Sequence, residues 1–241
     1  RVLFRSKRMF EVERNEKINT NIGILVKERP SIPTGKRRKI TYEIAGRDGL
    51  LFEHDGTVED IEITVTFTFK EKPEKWMERF RKAKSWLLSE SDNVLRFSDC
   101  PDCFYKVKHT EIADGERVVK ELGEFSVIFT CEGYQYLNDG TMEIKINKRK
   151  MLCNPYAVSH PIYKIEGNGN FKLEVNEKKL EGNVNRVLFI DTERMIAYSE
   201  NGMKNTSVKG NYDELYLQPG ENYITITPDC KLCVIPNWRC F

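Results

Sequence analysis

A run of strict alternation is the feature of this sequence that most limits its possible folds. From Ile61 to Phe69, apolar side chains occupy every second position, and glutamate or threonine fills the positions between them. Successive side chains of a strand point to opposite faces of a sheet, so this run predicts a strand with one buried and one polar face. We place this strand from Val58 to Phe69. The chain must therefore contain at least one sheet with a hydrophobic core on one side.

The periodicity changes soon after this strand. Trp76, Phe80, Ala83 and Leu87 recur at helical spacing, and charged residues fill much of the rest of the segment. This pattern predicts an amphipathic helix whose apolar stripe lies on the sheet. We expect Trp76 and Trp86 to pack against that sheet rather than to bind a ligand.

The rest of the chain reads as short strands separated by turns. A segment without periodicity near Asn154 suggests a domain boundary, which gives a first domain at 7–153 and a second at 154–241. Regular short strands in the second domain, with turns predicted at 167–169 and 176–177, indicate a β-sandwich. The predicted fold class is therefore mainly β (α+β), with one amphipathic helix.

The composition argues against two broad classes of function. Lys and Arg number 39 and Asp and Glu 37 among 241 residues, whereas nucleic-acid-binding domains show a basic excess. The one basic run, Lys36 to Lys39, is short and is interpreted as a solvated loop or strand start. No apolar stretch approaches the roughly 20 residues that a membrane-spanning helix needs. We expect no sequence-specific binding of nucleic acid and no membrane insertion.

The first residues of the chain, Arg1 to Ser6, do not resemble the rest. The sequence RVLFRS is a translation of the end of a common sequencing adapter, and we interpret it as an artefact. We exclude residues 1–6 from fold reasoning and give little weight to the lack of a visible signal peptide.

No motif in the sequence indicates a catalytic site. The histidines His54, His109 and His160 stand outside recognisable motifs. A nucleophile elbow, a phosphate-binding glycine loop and a metalloprotease helix motif are all missing from the sequence. We predict that the protein is not an enzyme and that it uses no cofactor.

The seven cysteines include two Cys-x-x-Cys pairs, Cys100 with Cys103 and Cys230 with Cys233. Four thiolates could hold a zinc ion. The second pair lies in a predicted strand, where residues three apart point to opposite faces and chelate one ion poorly. The odd number of cysteines favours a reduced compartment. We expect free, incidental thiols, with a four-cysteine zinc site as the alternative.

The tetrapeptide Gly46-Arg47-Asp48-Gly49 interrupts the sheet pattern before the long strand. Glycine permits backbone conformations that other residues resist, so Arg47 and Asp48 can project from a turn. A guanidinium is suited to bidentate pairing with a carboxylate. Two interpretations are open: the loop contacts a neighbouring subunit, or Arg47 pairs inside its own domain.

Segments from about Ile22 to Arg239 follow one another in an order that is specific, although each alone is weak. They are ERPSIPTGKRRKITYEIAGRDGLL, DGTVEDIEITVTF, WMERFRKAKSWLL, LRFSDCPDCFY, GEFSVIFTCEGYQY, NPYAVSHPIYKIEGNGNFKLEVN, FIDTERMIAYSENG, LQPGENYITIT and VIPNWR. In this order they resemble the siphophage distal tail protein family, or Dit. The chain departs from the family at Cys100 and Cys103, where polar or aromatic residues are expected.

The resemblance implies both architecture and function. It implies an N-terminal belt domain, a β-sandwich with one helix that forms a hexameric ring, and a C-terminal galectin-like β-sandwich that projects outward. Such a ring joins the tail tube to the tail-tip hub of a long non-contractile phage tail. The tape-measure protein and then DNA pass through its lumen.

The same resemblance implies the partners and the location. The partners are further copies in a homo-hexamer, the major tail tube protein, the tail-tip hub or tail-associated lysin, the tape-measure protein, and receptor-binding or baseplate proteins. The location is the virion tail tip, after assembly in the cytoplasm of the bacterial host.

Two other functions remain open at this stage. The C-terminal sandwich could bind host cell-wall carbohydrate, which requires exposed aromatic residues on a concave face. The candidates are Tyr198, Tyr212, Tyr216 and Tyr223, with packing in the core as the other interpretation of these residues. The chain could also be a related tail-tube ring protein.

Overall fold

Strands dominate the described part of the chain, which comprises residues 10–113, 116–119, 121–227 and 229–241 of a computed structural model. The α-helices are α1 (Asn19–Ile22) and α2 (Trp76–Leu87), and short 3-10 helices span Asn138–Thr141, Asn205–Ser207 and Asp213–Leu215. The strands are β1 (Val12–Arg14), β2 (Lys17–Ile18), β3 (Leu25–Val26), β4 (Arg37–Glu43), β5 (Leu50–Val58), β6 (Ile61–Lys70), β7 (Val94–Phe97), β8 (Cys103–Ile112), β9 (Glu116–Val119), β10 (Leu122–Cys131), β11 (Gln135–Leu137), β12 (Ile144–Ile146), β13 (Arg149–Asn154), β14 (Ile162–Val175), β15 (Lys178–Asp191), β16 (Ile196–Ser199), β17 (Gly202–Met203), β18 (Val208–Lys209), β19 (Gly220–Ile226), β20 (Lys231–Ile235) and β21 (Arg239–Cys240). The predicted mainly β class with one amphipathic helix is confirmed. The segment at residues 1–6, interpreted as adapter sequence, lies outside the described residues.

The chain divides into two units, Arg1–Gln135 with Phe241 and Tyr136–Cys240. The sequence suggested a division between residues 153 and 154. The observed division falls earlier because β12 pairs with β20 and β13 pairs with β19, and all four strands belong to the second unit. Part of the stretch without clear periodicity is therefore β13, a strand of the second sheet.

The first unit is built on an antiparallel sheet with the strand order β2-β1-β7-β8-β10-β6-β3, and β9 also pairs with β10. The alternating run forms β6, whose isoleucine, valine and phenylalanine side chains are buried while the residues between them are not. β10 pairs with β6 along its whole length, and Phe125 lies opposite Phe67. The buried face of these two strands forms the centre of the core of the first unit.

Helix α2 covers this sheet with the stripe that the sequence predicts. Its buried residues are Trp76, Phe80, Ala83, Trp86 and Leu87, and all belong to the same core as β6 and β10. The Trp86 indole N–H donates to the Arg14 carbonyl oxygen at 2.6 Å, which ties the helix to β1. The predicted packing of both tryptophans against the sheet is therefore confirmed. No helix within the described ranges is long and apolar enough to cross a membrane.

The second unit contains a sheet with the order β12-β20-β14-β15-β16-β17, and β13, β18 and β19 attach to it through β19–β13, β18–β15 and β19–β14 pairs. Its longest element is the β14–β15 hairpin. Asn176 and Glu177 form the turn of this hairpin with positive φ angles, as the sequence predicts for 176–177. The turn predicted at 167–169 is wrong, because β14 continues through it with Gly167 paired to Arg186. A side chain at Gly167 would approach the Cys230 sulfur to 3.1 Å, so this glycine permits close packing.

Candidate functional site

Strands β4 and β5 form a separate two-stranded hairpin within the first unit. All residues of β4 are exposed, and so are all residues of β5 except Val58. The exposed side chains include six large apolar ones, which are Ile40, Tyr42, Ile44, Leu50, Leu51 and Phe52. An isolated two-stranded hairpin is at best marginally stable in water, and clustered exposed apolar side chains typically mark an interaction surface. The hairpin is therefore the leading candidate for a functional surface.

The register of the hairpin sorts its side chains onto two faces. Tyr42 lies opposite Leu51, and Ile40 lies opposite Glu53, so these four share one face. The Tyr42 hydroxyl donates to Glu53 Oε2 at 2.9 Å, and this hydrogen bond raises the pKa of the phenol. We call Ile40, Tyr42 and Leu51 the apolar face of the hairpin.

The opposite face of the hairpin is more polar. Thr41 lies opposite Phe52, and Glu43 lies opposite Leu50. The Lys39 ammonium stands 4.7 Å from the centre of the Phe52 ring, a cation–π contact that partly covers this aromatic side chain. The first face therefore carries three exposed apolar side chains, and the second carries two, Leu50 and Phe52.

The turn between the strands contains the tetrapeptide singled out in the sequence. The Arg47 N–H donates to the Ile44 carbonyl oxygen at 3.1 Å, and Gly46 has a φ of 80° at the third position of this turn. Gly49 has the same positive φ, and a Cβ atom at either glycine would meet nothing within 4 Å. Both glycines therefore serve the backbone conformation and not close packing.

The side chains of Arg47 and Asp48 project at this turn. Neither of them forms an ion pair with another residue in the part of the chain that the structure describes. The interpretation that Arg47 pairs inside its own domain thus has no observed partner. The other interpretation is a contact of the loop from Gly46 to Gly49 with a neighbouring subunit.

A bulge shapes the base of the hairpin. The register shifts between Arg37 and Lys39, where extra residues of β5 oppose a single residue of β4. Asp55 Oδ1 accepts hydrogen bonds from the Thr57 N–H at 2.8 Å and from its hydroxyl at 2.6 Å, and these bonds lower the pKa of Asp55. Bulges increase the local twist of a strand, so this one helps set the direction of the β4–β5 hairpin.

The cysteines predicted as free include one bonded pair. Cys100 and Cys103 form a disulfide across the turn between β7 and β8, with Cα atoms 5.8 Å apart, so the expectation of free thiols is wrong for them. Cys230 and Cys233 are free and buried, and burial raises the pKa of both thiols. The potential metal-ligand group in the described residues consists of Cys100, Asp102 and Cys103. It does not include the second pair.

The tyrosines considered for carbohydrate binding have different environments. Tyr198 stacks on Phe189 at 5.2 Å between ring centres, and Tyr212 packs partly buried against the core, whereas Tyr216 and Tyr223 are exposed. A groove of about 510 Å³ in the second unit is lined by none of the four. This groove therefore offers no platform formed by these tyrosines.

The sequence matches no protein-family model, and no curated protein matches it. Its fold does match a solved structure, that of the SPP1 Dit (gp 19.1) protein. The TM-score is 0.70 at 15% sequence identity, and the match covers 94% of this chain and 98% of the SPP1 protein. That protein is described as a paradigm of the hub adsorption apparatus in phages that infect Gram-positive bacteria. The chain therefore has the Dit fold over nearly its whole length, as the resemblance in sequence predicts.

Proposed function

We propose that this protein is a non-enzymatic structural component of a phage tail tip, a distal tail protein that joins the tail tube to the tail-tip hub. The observation that carries the proposal is the similarity to SPP1 Dit, which extends over both units and nearly all of both chains. Because the match covers 94% of this chain, it includes both units and is not limited to a single β-sandwich of a common type. The order of the sequence segments that resemble the Dit family supports the same assignment.

In this proposal the first unit assembles into a closed ring of six copies, and the β4–β5 hairpin supplies the contact. The apolar face of the hairpin is not covered by the rest of its own unit. In a homo-oligomer, a second copy of the chain would cover it. Head-to-tail contacts that close cyclically use such a surface without producing open-ended polymers. The loop from Gly46 to Gly49 adds a charged contact, with Arg47 facing a carboxylate of the neighbouring copy.

The ring would have the partners that a position at the tail tip requires. The major tail tube protein would stack on one side and the tail-tip hub or tail-associated lysin on the other, with the tape-measure protein in the lumen. Receptor-binding or baseplate proteins would attach to the second unit. Assembly would take place in the bacterial cytoplasm, and the finished ring would reside in the virion.

Two adjacent leucines on opposite faces of the hairpin test the assembly contact. Leu51→Ser removes apolar area from the apolar face, whereas Leu50→Ser makes the same chemical change on the other face. We expect Leu51→Ser to raise the dissociation constant of the assembly by about tenfold or more, since a buried leucine contributes roughly 1.5–3 kcal/mol. Sedimentation velocity over a range of protein concentrations measures this change.

The matched controls make this experiment decisive. Leu50→Ser and Leu88→Ser, whose leucines are both 53% exposed, should shift the dissociation constant much less. Assembly that is equally strong in Leu51→Ser and in the wild type would reject the hairpin as the contact. A monomeric wild-type protein would reject the ring itself.

A further inference from the structure

The turn between β7 and β8 carries a chemical group that a structural ring does not require. Cys100-Pro101-Asp102-Cys103 places two sulfur atoms and one carboxylate oxygen within 4.8 Å of one another. Cys103 is buried, Cys100 is half-buried and Asp102 is exposed, so the group is open to solvent on one side. Three potential ligand atoms with one open side form an incomplete tetrahedral set.

The backbone around these residues is well anchored. The Cys100 N–H donates to the Phe97 carbonyl oxygen at 3.1 Å, and Phe97 is part of the core of the first unit. The Cys103 N–H donates to the Cys100 carbonyl oxygen at 3.4 Å, and β8 begins at Cys103. The turn is therefore held at both ends by a sheet. Little additional chain would therefore have to become ordered when an ion binds.

The disulfide in this turn is poorly placed to act only as a staple. Its cysteines are three positions apart, and the stabilisation that a disulfide gives by restricting the unfolded chain grows with the length of the loop it closes. Because a short loop is already restricted, this bond adds little of that kind. The same spacing, Cys-x-x-Cys across a tight turn, is typical of the paired ligands of zinc sites.

We propose that the turn from Cys100 to Cys103 is a redox-gated binding site for a thiophilic divalent metal ion of the zinc class. In the oxidised form seen here, the two sulfur atoms are bonded to each other and cannot act as thiolate ligands. In the reduced form, both thiolates and the Asp102 carboxylate bind the ion, and water or a group from another molecule completes the tetrahedron.

The electrons and protons of this switch balance. A dithiol reductant transfers two electrons and two protons to the disulfide, and it becomes a disulfide itself while Cys100 and Cys103 become thiols. Binding of the ion then displaces the two thiol protons to solvent, because thiolates and not thiols are the ligands. The reducing bacterial cytoplasm would favour the metal-binding form, and an oxidising exterior would favour the disulfide.

The test uses the full chain and Co²⁺ alone as a spectroscopic substitute for zinc. The protein is reduced with a dithiol, freed of reductant without oxygen and titrated, while an oxidised sample is titrated in parallel. We expect one Co²⁺ per reduced chain, with thiolate-to-metal absorption in the near ultraviolet, and no such band for the oxidised chain. Zinc should displace the cobalt and abolish the band.

Three variants separate this site from metal bound elsewhere. Cys100→Ser should weaken Co²⁺ binding by more than about tenfold, and Asp102→Asn should weaken it less while leaving the thiolate absorption in place. Cys153→Ser, which removes an exposed free cysteine of the second unit, should change nothing. A reduced wild type that binds no stoichiometric Co²⁺ would overturn the proposal. Binding that is unchanged in a folded Cys100→Ser protein, as judged by circular dichroism, would also overturn it.

Discussion

Tyr42 and Leu51 lie directly opposite each other on the β4–β5 hairpin, and 42% and 44% of their respective surfaces are exposed. Cross-strand pairs of an aromatic and an aliphatic side chain stabilise a sheet when a further layer covers them. The described residues of the first unit leave this pair uncovered. A second copy of the chain in a ring would supply the missing layer, and this connects the local geometry of the hairpin to the proposed assembly.

Charge reversal at the tip of the hairpin tests the second part of the contact. If Arg47 faces a carboxylate of the neighbouring copy, Arg47→Glu replaces attraction with repulsion, and we expect the ring to dissociate to folded monomers. Sedimentation velocity measures the assembly, and circular dichroism checks the fold. Arg81→Glu, on the exposed side of α2, is the control and should leave assembly intact. A ring that survives Arg47→Glu would remove this residue from the interface.

The end of helix α2 offers a matched test of the core of the first unit. Leu87 is fully buried and Leu88 is 53% exposed, although they are adjacent. Leu87→Ala should lower the free energy of unfolding by about 2–5 kcal/mol, because it leaves a cavity beneath the helix. Leu88→Ala should change it by no more than about 0.5 kcal/mol. Urea unfolding monitored by tryptophan fluorescence measures both, and similar values for the two variants would contradict the packing described here.

Alkaline pH should destabilise the first unit through Cys131. Burial within the core raises the pKa of this thiol from 9.0 to about 12. Below pH 9 the thiol is protonated in both the folded and the unfolded chain, so it adds no pH dependence. As the pH rises from 9 towards 12, the unfolded chain releases a proton that the folded chain retains, and stability falls.

The comparison with Cys131→Ala isolates this effect. The variant loses packing and is expected to be less stable at pH 8, but its stability should decline less steeply above pH 9. The difference in unfolding free energy between wild type and variant should therefore shrink as the pH rises. Parallel declines over this range would show that Cys131 does not contribute to the pH dependence.

Periodic segments of the sequence were sufficient to predict the core of the first unit. The alternation from Ile61 to Phe69 and the helical stripe of α2 each have a single buried face, so sequence spacing and burial follow the same rule. The predicted strand begins at Val58, whereas Val58 ends β5 and the observed strand β6 begins at Ile61. Turn chemistry predicted the residues at 176–177 equally well, because the tight β14–β15 hairpin requires positive φ angles there.

The β4–β5 hairpin is only partly predictable from the sequence. The sequence does not predict β5, because Leu50, Leu51 and Phe52 are consecutive and give no alternation. A two-stranded hairpin without a core of its own can carry apolar residues on both faces. The alternation of apolar and polar residues that usually indicates a strand is then lost. The sequence feature that could have indicated such a hairpin is a run of consecutive apolar residues beside a Gly-rich turn.

Two further predictions from the sequence are wrong, one for a pair of glycines and one for a pair of cysteines. The sequence predicts a turn that includes Gly167 and Gly169, but β14 continues through both residues because it pairs with β15 there. Cys100 and Cys103 were expected to be free because the total number of cysteines is odd. Local geometry decides the outcome for this pair, since the turn between β7 and β8 brings their Cα atoms to 5.8 Å.

Electron microscopy of the purified protein, together with its mass in solution, tests the proposed ring most directly. We predict closed rings with sixfold symmetry and a mass of six chains. At the same low protein concentration, Leu51→Ser should give fewer rings and a lower mass, and Leu50→Ser should not. A wild-type protein that remains strictly monomeric at high concentration would contradict the proposed ring, and so would one that forms long stacked tubes, which would favour a tail-tube protein.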